Sequence, residues 1–229
     1  MTTIYDLIIL DESGSMSQIT HQTISGCNET IQTIKAAQQQ NSEVQKHLIS
    51  IYAFQSGNVP SRYLVKNVPA EAACEISGND YRPYGGTPLL DAVGGCLADL
   101  KATIGNNRDA IGSVTIITDG MENASRRYTF KQVAGTIDVL KELGWEFHFI
   151  GANIDVKGTS RAFHIDNSME FCTTKEGAEA MWKKEREAKM RHSKMMAKID
   201  CCYSISPEER LKLRKEAAKK IFDTDEEER

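Results

Sequence analysis

The sequence predicts an α/β fold: an open, doubly wound, mainly parallel sheet with helices on both faces, followed by C-terminal helices. Two observations predict it. Short apolar runs rich in branched and aromatic residues alternate with longer stretches whose apolar residues recur every three or four positions, the pattern of strands joined by right-handed helical crossovers. Two of the apolar runs also stop abruptly at a polar turn carrying an aspartate, Asp11 in one and Asp119 in the other. Ligands in such sheets collect outside the carboxyl ends of strands, where the strand order reverses.

The first strand is Ile4-Tyr5-Asp6-Leu7-Ile8-Ile9-Leu10, and it opens into Asp11-Glu12-Ser13-Gly14-Ser15-Met16. Asp11, Ser13 and Ser15 alternate, so a curling loop can aim three oxygens at one spot, and oxygens are what a hard divalent cation requires. Gly14 is expected to supply a backbone angle that a larger residue resists. Ile24, Cys27, Ile31 and Ile34 then recur at helical spacing within about 17–40, and Gln38-Gln39-Gln40-Asn41 ends that helix.

His47 to Phe54 forms the second strand. Arg62 to Val68 follows after so short a gap that an antiparallel hairpin with an edge strand is expected. Residues 69–84 are irregular and deliver the chain to Gly85-Gly86-Thr87-Pro88. Here Thr87 has the position of a helix N-cap and Pro88 that of the first helical residue, with Leu89, Val93, Cys96, Leu97 and Leu100 on the buried face.

Val114 to Thr118 is the next strand and leads into Asp119-Gly120. A helix over 130–143 buries Val133, Ile137 and Leu140. Trp145 to Ile150, a short helix near 156–163 and a last strand around 169–171 complete the alternation.

Beyond Thr173 the texture changes. Thr173 to Glu176 reads as a capping box opening a highly charged helix to about 198, with a narrow stripe at Met181, Ala188 and Met195. Ser206-Pro207 opens a second helix with Leu211, Ala218, Ile221 and Phe222 on one face. The division expected is a metal-binding domain over 1–173, a charged helical extension over 174–222 and an acidic disordered tail over 223–229. Residues 1–173 carry 13 basic and 19 acidic side chains, net -6, and residues 174–229 carry 15 and 13, net +2. A mildly acidic domain argues against a nucleic-acid surface, and the basic residues of the charged helix, among them Lys183 and Lys189, alternate with Glu185 and Glu187 as a solvated face does. His148 in its strand reads as a satisfied core residue, and Glu12 and Glu122 as residues near the turn that tune its charge or face water.

The 229 residues, 40% of them hydrophobic, suffice for an ordinary core. No apolar run reaches the roughly 18 residues of a membrane span, so no membrane association is expected. The first strand starts too close to Met1 to leave room for a secretory signal, which points to the cytoplasm. The six cysteines form no CxxC pair and read as reduced thiols, Cys27 and Cys96 on apolar helix faces.

Aspartate-x-serine-glycine-serine after a first strand, threonine in a glycine-threonine-proline turn and threonine-aspartate-glycine after a later strand together resemble the metal-ion-dependent adhesion site of von Willebrand factor A (vWA) domains. The three parts occur in that family's order, and the resemblance spans about Ile4 to Phe171. It implies the strand order 3-2-1-4-5-6. It also implies a site of Asp11, Ser13, Ser15, Thr87 and Asp119, in which Ser13, Ser15 and Thr87 bind the ion directly and the two aspartates act largely through water. Magnesium, which keeps its waters, suits such a set, with manganese or calcium as substitutes. The partner implied is a protein offering an Asp or Glu to the ion.

The function expected is thus a metal-dependent protein-interaction module without catalysis. A metal-assisted phosphohydrolase with Asp11 as nucleophile is the first alternative, but an aspartate is missing at the third position, where Ser13 stands. Neither a GxxxxGK[ST] loop nor a GxSxG elbow is present. A scaffold recruiting a partner through its C-terminal helices is the second.

Overall fold

A computed structural model describes residues 1–152, 154–170, 175–202, 204–219 and 221–222, with side chains of the 175–201 helix described from residue 180. Six strands, β1 (Thr2–Asp11), β2 (Gln45–Phe54), β3 (Arg62–Pro69), β4 (Ala110–Thr118), β5 (Glu146–Gly151) and β6 (Asn167–Glu170), form one sheet in the order β3-β2-β1-β4-β5-β6. Only β3 runs antiparallel to its neighbour; the other pairings are parallel. Fold class, strand order and the antiparallel edge agree with expectation.

β1 is apolar at consecutive positions because both of its faces are covered. Leu7 and Ile9 pack with Val114, Ile116, Phe147 and Phe149 beneath α2 (Leu89–Ile104) and α3 (Phe130–Glu142). Ile8 and Leu10 pack with Ile49, Ile51, Ile117 and Ile150 beneath α1 (Thr20–Gln40). Each such side chain stabilises the fold by about 1.5–3 kcal/mol when fully buried. The helix expected over 17–40 starts later, because Gly14–Ile19 form a 3-10 turn first.

α4 (Val156–Ala162) follows β5, and two further helices, α5 (Lys175–Cys201) and α6 (Pro207–Ala218), follow β6. The capping box expected at Thr173 and Glu176, the end of the last strand at Phe171, the domain boundary at 173 and the acidic tail lie outside the described residues or side chains. What is described of α5 packs on the α1 face of the sheet. Trp182 is buried and lies so close to Gly26 of α1 that a β-carbon there would meet its ring at 1.9 Å. Met196 packs with Ile4 and Ile111, and Ala188 with Met169, Ile221 and Phe222. The apolar stripe of α5 therefore runs through Met196 rather than Met195, which is exposed. Lys183 and Glu187 face solvent as expected, but Glu185 is fully buried and Lys189 reaches Thr115 Oγ1 in β4 at 3.0 Å. Alternation of charge marks a solvated face only where no second element covers it.

Ser206 caps α6 by accepting from Glu209 N, as expected. Ile221 and Phe222 are buried beyond the helix end rather than on its face. Cys27, Cys74, Cys96, Cys201 and Cys202 are free; Cys27 and Cys96 are buried, while Cys74 and Cys201 are exposed. No described helix is long and apolar enough to cross a membrane.

Candidate functional site

The register Leu10↔Ile117 sets the ends of β1 and β4 side by side, so Asp11 lies beside Thr118 and Asp119 follows on the next turn. Asp11 is fully buried. Both of its carboxylate oxygens are held: Ser13 N donates to Oδ1 at 2.8 Å and Thr118 Oγ1 to Oδ2 at 2.5 Å. Tyr81 OH donates to the Asp11 carbonyl at 2.6 Å and fixes the strand end from the side. Ser15 Oγ donates to Asp119 Oδ1 at 2.6 Å, and the Ser13 and Ser15 hydroxyls are 3.2 Å apart.

Thr87 joins this group through Gly120. A β-carbon at Gly120 would stand 2.7 Å from Thr87 Oγ1 and 3.4 Å from Asp11 Oδ2, so only the bare backbone of glycine lets the second and third loops close on the first. Gly14 has a related use. It is not among the residues of positive φ, contrary to expectation; instead Gly14 N donates to Gly85 O at 2.9 Å, and a β-carbon there would press that oxygen at 3.3 Å. Gly85 is the residue whose φ, +73°, requires glycine.

Thr87 is not the N-cap of α2. The helix begins at Leu89, and its first donors are capped from another loop: Glu122 Oε2 accepts from Leu90 N at 2.8 Å and Ser125 Oγ from Asp91 N at 2.9 Å. Thr87 is itself held by its backbone, its N donating to Asn123 Oδ1 and its carbonyl accepting from Asn123 N. The hydroxyl is thereby released from capping. A carboxylate at the positive end of α2 also offsets the helix dipole near the site.

Glu12 and Glu122 are both tied down by hydrogen bonds, Glu122 half-buried on the start of α2 and its own loop. Glu12 is fully buried and accepts from Arg62 Nη1 and Nη2, Gln55 Nε2 and Arg82 N. Burial alone would raise its carboxyl, but the Arg62 and Gln55 bonds outweigh it and hold it below the usual range. Arg126 and Arg127 are exposed beside the Asp119 loop, with their backbone N–H groups on Asp91.

At the centre the electrostatics run the other way. Burial pushes the Asp11 carboxyl up to about 6 against the pull of the Thr118 and Ser13 hydrogen bonds, and the Asp119 charge adds to the rise. Burial likewise raises Asp119, against its bond from Ser15. Among the described residues, none of the main groups acting on this pair is a cation.

The residues present fit a hard divalent cation. Two buried carboxylates under-compensated by the protein, with three hydroxyls, are an oxygen-only donor set of charge -2 when ionised. Among the described residues no cluster of three or more His, Cys, Asp or Glu side chains suits a metal, and this set differs in kind because most of its donors are hydroxyls. Both carboxylate oxygens of Asp11 are already engaged, which suits a residue that orients rather than attacks.

Sequence reasoning assigned no role to Thr118 or Tyr81. Thr118 stands directly before Asp119 at the end of a strand neighbouring β1, which was signal enough; nothing local marks Tyr81, 70 residues from its acceptor.

The strand order, the antiparallel edge and this position of the aspartates invite comparison with known structures. The chain superposes on the pilus adhesin SpaC from Lactobacillus rhamnosus GG with a TM-score of 0.60 over 83% of its length at 12% identity. It does so on the ArnB paralog VWA2 from Sulfolobus acidocaldarius with a TM-score of 0.52 over 80% at 14% identity. The fold is vWA-like. A third match is proximal thread matrix protein 1 from the mussel byssus, with a TM-score of 0.53 over 82% at 13% identity. The chain spans 30% of the adhesin and less than half of the other two, 45% of VWA2 and 46% of the byssus protein. No protein-family model matches the sequence, and no curated protein does.

Proposed function

We propose that this chain is a vWA-type interaction module that engages a protein partner through a divalent cation, magnesium in the first instance, held by Asp11, Ser13, Ser15, Thr87 and Asp119. The observation that carries the reading is the convergence of these oxygens from three loops, with Asp11 and Asp119 raised and no cation, among the described residues, in the main groups acting on them. When bound, the cation supplies positive charge to the two carboxylates and an acceptor position for a partner's Asp or Glu.

The chain's own residues do the rest. Thr118 and Ser13 N fix the Asp11 carboxylate, Ser15 fixes Asp119, and the Gly14–Gly85 bond ties the first loop to the second. Hydroxyl donors bring no charge, so an ion held directly by Ser13, Ser15 and Thr87, with the two aspartates acting through water, stays electrophilic toward a third carboxylate.

Catalysis by Asp11 is disfavoured because both its oxygens are committed. Recruitment through an apolar stripe of α5 is disfavoured because Trp182, Ala188 and Met196 are buried against this same chain. Free thiols at the five described cysteines suit a reducing, cytoplasmic setting.

The test is thermal unfolding with magnesium chloride and with chelator, alongside capture of partners from native lysate under both conditions. Asp119→Ala is expected to abolish both the magnesium-induced rise in Tm and the chelator-sensitive partner. Retention of both by this variant and by Ser13→Ala would reject the site.

A further inference from the structure

Apart from Met1, the most exposed large apolar side chains of the described residues are Met121, at 75%, and Tyr84, at 57%. Both stand next to a glycine that closes the candidate site. Tyr84 precedes Gly85, whose carbonyl takes the Gly14 N–H; Met121 follows Gly120, which abuts Thr87 and Asp11. They belong to different loops, so the mouth carries an apolar side chain on its second loop and another on its third.

Tyr84 is not a loose tip. Its backbone N donates to Glu12 O at 2.9 Å, and its ring lies over Gly57, where a β-carbon would meet Cδ1 at 2.3 Å. A ring held in place yet largely open to water has lost its conformational freedom in advance, and that is the condition under which an aromatic gives most affinity to an interface.

The charges around the mouth are sorted by direction. The carboxylates of these loops are turned inward: Glu12 to Arg62 and backbone N–H, Glu122 to the start of α2 and its own loop, Asp91 to the N–H groups of Arg126, Arg127 and Tyr128. Arg82, Arg126 and Arg127 are exposed in the same loops; Asp80 is exposed too, but its carboxylate accepts from Ser77 N and Oγ within its own turn, so the rim carries three cations against one anion. A basic rim attracts acidic segments and repels basic ones.

We propose that Tyr84 and Met121 form an apolar clamp at the candidate site, and that the partner segment it selects is an acidic peptide carrying a large apolar residue adjacent to the acid presented to the cation. This rests on the metal-dependent reading above. The clamp supplies specificity, because a carboxylate alone offers the cation nothing that distinguishes one acidic segment from another.

The experiment is selection from a random peptide library displayed on phage, with the full chain immobilised in magnesium chloride and elution by chelator. Binding of the selected sequences is then measured to wild type and to the Tyr84→Ser/Met121→Ser variant. The magnesium-induced shift in Tm is recorded for both proteins. Eluted peptides are expected to place Leu, Ile, Phe or Met beside an Asp or Glu. Serine in place of the apolar residue is expected to weaken binding by about tenfold or more, the order for loss of one well-buried apolar side chain. The double variant is expected to show the same loss while keeping its magnesium shift. Chelator-eluted peptides that are acidic but indifferent to the apolar neighbour, or equal binding by the double variant, overturn the clamp and leave the cation site standing. Absence of any chelator-eluted peptide together with absence of a magnesium shift overturns both.

Discussion

The molecule buries ionisable groups in two places, and they are built on opposite principles. At the carboxyl ends of β1 and β4, Asp11 and Asp119 are held by hydroxyls and backbone, none of the main groups acting on them among the described residues is a cation, and burial raises both. Under α5, on the amino-terminal half of the same sheet, acids meet bases: His192 Nε2 lies 2.6 Å from Glu146 Oε1, His47 Nδ1 lies 2.8 Å from Asp6 Oδ2, and Lys189 Nζ lies 2.7 Å from Glu185 Oε1. Burial would raise Glu146, but the charge of His192, which also donates to it, outweighs burial and holds its carboxyl well below the usual range. The first region is short of positive charge and the second supplies its own. That difference separates a site that needs a cation from a polar layer that holds a helix to a sheet.

The second region is not fully satisfied either. His148 is buried, as expected, but Nε2 is 3.9 Å from Glu146 Oε2, too far for a hydrogen bond, and among the described residues neither ring nitrogen has a hydrogen-bond partner, nor do His47 Nε2 and His192 Nδ1. Burial therefore keeps His148 neutral, with its pKa pushed down to about 4.

The largest effect expected is at α5 docking. Trp182→Ala removes a buried aromatic ring seated on Gly26 and should cost about 3–5 kcal/mol in urea denaturation. A loss below about 1 kcal/mol would mean that α5 does not depend on that contact. His192→Ala comes next. It strips the Glu146 carboxylate of its 2.6 Å partner inside the protein and should cost about 3 kcal/mol at neutral pH.

Asp11→Asn is expected to have the opposite sign. A carboxylate raised by burial opposes folding when ionised, so the chelated variant should be more stable than chelated wild type by about 2 kcal/mol at pH 7. Magnesium should stabilise wild type and leave the variant unmoved, closing or reversing the gap.

The pH dependence should separate the regions as well. Between the unfolded carboxylate value of 3.8 and about 6 the folded chain binds the extra proton at Asp11, so this group's contribution improves as pH falls and the advantage of Asp11→Asn shrinks. At His148 the unfolded chain binds the extra proton between 6.5 and about 4, so stability is lost as pH falls through that window. Glu146 loses its contribution below 4.5, as its folded value is lowered. His47, which burial would lower but Asp6 holds up, gives stability that is full below 6.5 and fades above it, outside the window in which His148 acts. Urea midpoints across pH 4–8 in chelator, for wild type, Asp11→Asn and His148→Gln, check these slopes.

Much of this was legible in the sequence because the fold depends on local period. Ile8 and Ile9 point to opposite faces and are both covered, so a continuous apolar run reports a central strand without knowledge of its neighbours. Asp11, Ser13 and Ser15 lie within five residues, and their convergence needs only one turn. What stayed hidden depends on residues far apart in the chain. Thr87 reads as a cap until Glu122 arrives from 32 residues beyond Leu90 to do that work. Glu12 reads as a rim charge until Arg62 covers it. Glu185 and Lys189 carry the same alternation as their exposed neighbours, and only the sheet beneath them sets them apart.

The smallest effect expected tests the hydroxyl that joins the two aspartates' strands. Thr118 Oγ1 donates to Asp11 Oδ2 and accepts from Gly120 N at 3.1 Å, so Thr118→Val keeps the shape and removes both bonds. In chelator the loss should be about 1 kcal/mol in wild type, the usual net worth of such bonds. On an Asp11→Asn background it should be smaller, because the bond to an ionised acceptor is already gone. Equal losses on the two backgrounds would show that Thr118 serves the Gly120 turn alone, and Asp11 would then be held by the first loop without help from β4.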